Sequence, residues 1–129
     1  MRQLLLPAII ALFPALSVHA QGLRAVRPLP GYMCMMLSIP PAPTVEAIRQ
    51  VPVRSGPYAS APPAGWAPSV VLVPSPLEAT NGYLQATFAD GHKGWIAASD
   101  LKPWSSPYNP NRHCIPSVMS DNGFGFDFR

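Results

Sequence analysis

From Asn81 to Lys102 apolar and polar residues are arranged as a single hairpin followed by a corner. Leu84, Ala86 and Phe88 alternate with Tyr83, Gln85 and Thr87, the period of two expected of a strand with one buried face. Asp90-Gly91 predicts the hairpin turn, because Gly reaches positive φ without steric cost. Gly94-Trp95-Ile96 opens the return strand, and Phe88 and Trp95 are assigned to the core. Ser99-Asp100-Leu101 predicts a short helical turn leading into a last strand.

The same pattern, followed along the rest of the chain, yields short apolar runs separated by breakers. Tyr32 to Ile39 reads as an edge strand that Pro40-Pro41-Ala42-Pro43 ends, since Pro cannot donate to a ladder. Thr44 in an N-cap position predicts one or two helical turns over Thr44 to Arg49. Val51 and Val53 share one face of a strand in which Pro52 suits an edge. Tyr58 to Pro68 is rich in Ala, Pro, Ser and Gly and reads as a long loop. Ser69 to Val73 is a β-branched strand closed by Pro74-Ser75-Pro76. Ile115 to Met119 is expected to add a short strand. Gln21 to Pro30 is read as a flexible leader and Asp121 to Arg129 as a fraying tail. Eighteen prolines in 129 residues fit a loop-rich β domain and not a helical one.

Composition changes this picture at the amino terminus. Arg2, the apolar run Leu4 to Leu16 and the small residues flanking His19 in Val18-His19-Ala20 have the layout of a secretory signal cleaved after Ala20. The run is too short for a membrane anchor. Export places both cysteines, Cys34 and Cys114, in an oxidising compartment, where an even count favours a disulfide. A bridge around so long a loop contributes about 4–5 kcal/mol in the chain-entropy model. The formal net charge is +3 for the whole chain, about +2 once Arg2 leaves with the signal, and it is scattered. Nucleic acid needs a clustered basic face, so it is not an expected partner.

The segment Val51 to Trp104 resembles a bacterial SH3-type domain. Val53-Arg54-Ser55-Gly56-Pro57, Trp66, Gly82-Tyr83, Asp90-Gly91, Gly94-Trp95-Ile96 and Leu101 carry the resemblance by their order and spacing. It implies an all-β fold, a small five-stranded SH3-like barrel, here with disulfide-tethered N- and C-terminal extensions. The boundaries that follow are a signal at 1–20, an N-terminal extension at 21–49, the SH3-like domain at 50–104 and a C-terminal extension at 105–129. The tyrosine-rich motif of the polyproline-binding relatives is absent, with Val51 to Ser55 in its place.

The resemblance implies an exported, non-catalytic binding module, periplasmic or secreted, whose partner is peptidoglycan or an envelope protein. Tyr58, Trp66 and Tyr83 fall where such domains border their groove, and aromatic faces there suit a wall peptide or sugar. The alternative is a structural accessory subunit or inhibitor that acts through protein contacts without a groove. No cofactor is expected. His92 follows the turn and reads as solvated. His113 adjoins Cys114, and strand neighbours point to opposite faces, so the pair is poorly arranged for catalysis. Met33, Cys34, Met35 and Met36, with His113, Cys114 and Met119, offer soft copper ligands in principle, but a buried strand around a disulfide, in which Met fills gaps, is the stronger reading, and no metal is expected.

Overall fold

The computed structural model describes residues 4, 7–10, 22–38 and 50–129. The cleavage motif at Val18-His19-Ala20, the Pro40–Pro43 stop and the Thr44–Arg49 turn lie outside the described residues.

The described chain is all-β, with ten strands in two sheets. In chain order they are β1 (Ala25–Pro28), β2 (Tyr32–Leu37), β3 (Pro52–Arg54), β4 (Pro63–Trp66), β5 (Val70–Pro74), β6 (Tyr83–Thr87), β7 (Lys93–Ala97), β8 (Leu101–Pro103), β9 (Cys114–Met119) and β10 (Phe124–Phe128). A 3-10 turn at Ala98–Asp100 joins β7 to β8. The larger sheet has the order β4-β3-β7-β6-β5-β2-β8, and the smaller is β1-β9-β10. All pairings are antiparallel.

This corrects the five-stranded barrel. The ends of the larger sheet, β4 and β8, are not paired with each other, so no barrel closes. The physical reason is β2. It is not an edge strand, because its backbone bonds β5 on one side through Tyr32–Met36 and β8 on the other through Met35–Leu37. The supposed amino-terminal extension is therefore an interior strand of the main sheet. The expected leader and fraying tail are strands too: β1 and β10 flank β9, which uses both its hydrogen-bonding edges to hold them. Part of the Tyr58–Pro68 loop is also a strand, β4, paired with β3. Pro52 consequently lies in a strand flanked on both sides.

The central hairpin forms as its pattern predicts. Tyr83 to Thr87 pairs in register with Ala97 to Lys93, and Gly91 takes φ +88° in the turn. A second tight turn precedes it. Asn81 and Gly82 both have positive φ, and Thr80 and Tyr83 exchange backbone hydrogen bonds of 2.9 and 2.8 Å across them, the geometry that an Asn-Gly pair favours. Inside the larger sheet, Val51, Val53, Val71, Val73, Leu84 and Ile96 form the principal core. Gly94 is needed there, since a Cβ at that position would stand 2.3 Å from Val53 Cγ1.

The smaller sheet lies over the opposite face at the β5 end. Cys34 and Leu72 are directly paired, as are Leu72 and Thr87, so all three point the same way. All three are buried, although the principal core is on the other side. The Cys34–Cys114 disulfide ties the two layers together, with Cα atoms 6.1 Å apart across a sequence separation of 80. β5 is thus buried on both faces, which is why Val70 to Val73 is an unbroken apolar run and not an alternating one.

Candidate functional site: an aromatic sheet face

Alternation along the strands places a set of large side chains on the sheet face turned away from the core, over which no second sheet lies among the described residues. Val51, Val53, Leu84 and Ile96 point into the core, so their strand neighbours Pro52, Arg54, Tyr83, Gln85 and Trp95 point outward. The register joins these into rows. Arg54 is opposite Trp95, Trp95 is opposite Gln85, and Pro52 is opposite Trp66. Trp66, Trp95 and Tyr83 therefore share the outer face of β4, β3, β7 and β6. The strands carrying Trp66 and Tyr83 are three spacings apart, roughly 14 Å at about 4.8 Å per strand.

Trp66 is 62% exposed, while Trp95 and Tyr83 are half-buried. Arg54 is held in place by donating from Nη1 to the Ala61 carbonyl at 3.3 Å. Ala61 is itself buried, so this bond anchors the loop after β3 beneath the face. Trp95 and Gln85 line a surface hollow of about 350 Å³ together with Pro74, Pro76, Glu78 and Thr80. The hollow combines an indole, proline rings, an amide and a carboxylate. Such a surface can stack on a ring or an extended peptide and hydrogen-bond its polar edge.

Two of the expected binding residues, Trp66 and Tyr83, fall on this face. Tyr58 is in the loop between β3 and β4, half exposed, with its ring folded back over Gly56. Trp95 corrects its assignment to the core: its neighbours Gly94 and Ile96 are buried and it points outward. The strand alternation carried that signal, since Ile96 and Trp95 cannot both face inward, but the bulk of the indole suggested burial. Phe88 does pack against the core, from a half-buried position.

The other candidate chemistry takes a different form. Both cysteines are in the disulfide, so neither sulfur is a thiolate for catalysis or for copper. His92 is exposed and contacts the Asp90 carboxylate in the hairpin turn. The His92 backbone N–H, and then its imidazole, hold the Asp90 carboxyl below its ordinary pKa, a turn-stabilising role. His113 is exposed beside the bridge, its backbone exchanging hydrogen bonds of 2.6 and 2.9 Å with Arg129. Among the described residues no three His, Cys, Asp or Glu side chains group as a metal site, and no helix is long and apolar enough to cross a membrane. No protein-family model, curated protein or solved structure matches this chain.

Proposed function

We propose that this chain is an exported, SH3-type, non-catalytic binding module, and that the outer face of β4, β3, β7 and β6 engages peptidoglycan or an envelope protein. The observation that carries the reading is the alignment of Trp66, Trp95 and Tyr83 on one uncovered sheet face, with Arg54, Gln85 and Glu78 beside them. Aromatic residues and Arg supply most of the energy at binding surfaces. A rigid sheet presents them with little ordering cost. The roughly 14 Å between the outer strands matches about four residues of extended peptide at about 3.4 Å each. The disulfide fits an oxidising compartment such as the periplasm. The SH3-type kinship rests on the order strand, long loop, strand, hairpin, helical turn, strand over residues 51–104.

Co-sedimentation of the purified chain with insoluble peptidoglycan, at low and at high salt, tests this reading. Salt-resistant pelleting is expected, with Trp66→Ala and Trp95→Ala each weakening it at least tenfold while leaving the unfolding transition cooperative. Pelleting that vanishes in salt, or that survives both substitutions, sinks the wall-binding reading. Cross-linking from Trp66 to a protein of the envelope would then identify the other class of partner.

A further inference from the structure

Two hollows adjoin beside the disulfide, where β8 ends. The first, of about 300 Å³, is lined by Tyr32, Trp104, Arg112 and His113 together with both half-cystines. The second, of about 240 Å³, is lined by Trp104, Ser106, Arg112 and Phe128. Trp104 and Arg112 are walls of both.

Backbone pairing fixes these walls. The Trp104 N–H donates to the Cys34 carbonyl at 3.1 Å, which carries the β8–β2 register one residue past Pro103. Trp104 is thus turned to the same side of the sheet as Cys34, and its ring meets that of Phe128 on β10 with centroids 5.2 Å apart. Arg112 is held at the same place, its Nη2 donating to the Phe128 carbonyl at 3.2 Å. That bond engages one corner of the guanidinium. The rest of the planar fork is left to solvent, since Arg112 is exposed.

The polar side chains of the second hollow are set up to donate. Ser106 Oγ accepts the backbone N–H groups of Tyr108 and Asn109 at 3.4 and 3.1 Å, so its O–H is what it can still offer. No Asp or Glu lines either hollow, and Arg112 has no ion pair among the described residues. Asp127, next to Phe128 in sequence, is on the other face of β10 and pairs with Arg129 Nε at 2.7 Å. A fixed positive charge with a second donor beside it and no internal counter-ion is complementary to a group that only accepts, an ionised carboxylate. One arginine balances one negative charge, which suits a carboxylate better than a phosphate dianion. The Trp104 and Phe128 rings add apolar surface for a flat body. The net charge of +3 favours the approach of an anion.

We propose that this groove binds an aromatic monocarboxylate of benzoate size, with its carboxylate on Arg112 and Ser106 and its ring against Trp104 and Phe128. The site shares no residue with the outer aromatic face and does not depend on what that face binds.

The test titrates the disulfide-bonded full chain with benzoate, with benzamide (the same ring without the charge) and with acetate (the charge without the ring). Binding is read at the indole N–H resonances of Trp66, Trp95 and Trp104. Benzoate is expected to shift Trp104 saturably, and the other two compounds to bind at least about tenfold more weakly. Arg112→Gln, which keeps a donor for the Phe128 carbonyl and removes the charge, is expected to erase the preference for benzoate over benzamide. Arg112→Lys, which keeps the charge without the fork, is expected to retain part of it. The wild-type comparison of benzoate with benzamide decides the matter even if a variant fails to fold. The proposal is overturned if benzoate gives no saturable shift at Trp104, if benzamide binds as tightly, or if folded Arg112→Gln keeps the full preference. Shifts confined to Trp66 and Trp95 overturn it as well, and assign the ligand to the outer face.

Discussion

The outer face of the larger sheet has a covered half and an open half. On β2, β5 and the end of β6, Cys34, Leu72 and Thr87 lie under the smaller sheet and are buried. On β6, β7, β3 and β4, the same face carries Tyr83, Gln85, Trp95, Arg54 and Trp66, half-buried or exposed, and among the described residues no second sheet lies over them. The two halves obey the same alternation and differ in side-chain chemistry. The covered half carries compact buried groups, a half-cystine, a leucine and a threonine, suited to close packing against another layer. The open half is made of amphipathic side chains that tolerate water while offering large apolar surfaces, the composition of a recognition surface. The lesson is that one sheet face carries two kinds of surface, and that the second layer marks where one ends and the other begins.

The strongest way to break this comparison is to release the cover. Replacing both Cys34 and Cys114 by Ser removes the covalent tie between the sheets, and a loss of about 4 kcal/mol is expected from the span of the closed loop. Urea unfolding of the oxidised and double-Ser chains measures it; a change below 1 kcal/mol would mean that the layers hold each other without the bridge. The halves can next be set against each other directly. Leu72→Ala, at the floor between the layers, is expected to cost about 3 kcal/mol. Trp66→Ala, on the open half, is expected to cost under about 1 kcal/mol. Equal losses in thermal unfolding would erase the distinction. The smallest effect is at Thr87. Exchanging its buried, unpaired hydroxyl for a methyl in Thr87→Val is expected to stabilise the chain by about 1 kcal/mol, read as a higher urea midpoint at unchanged slope.

Where local pattern is decisive, sequence reading and structure agree. Tyr83–Thr87, the Asp90-Gly91 turn, the return strand, the helical corner after it and the strand at Cys114 all form, because hairpin register and turn geometry are set by neighbours within a few residues. The bridge between Cys34 and Cys114 also follows from there being only two cysteines. Segments whose structure depends on distant partners were the ones misread. Ala25–Pro28 and Phe124–Phe128 have no strong period of their own and become strands only because β9 lies between them. Pro63–Trp66 is a strand because β3 offers it an edge. Of the aromatic residues on the outer face, Trp66 and Tyr83 were singled out through the resemblance to SH3-type domains, and Trp95 was not, since its size argued for the interior.

By itself, then, the chain's pattern determined an all-β character, a central hairpin with its turns and a single disulfide, all of which rest on local geometry and composition. Tertiary structure alone decided that Tyr32–Leu37 is an interior strand, that the two ends of the chain build a second sheet, and which half of the main sheet that second layer covers. Strand pairing between distant segments carries almost no local signature, because any extended segment presents the same backbone donors and acceptors. Partner choice follows from which apolar faces can be buried together, and that is settled only when the whole chain packs.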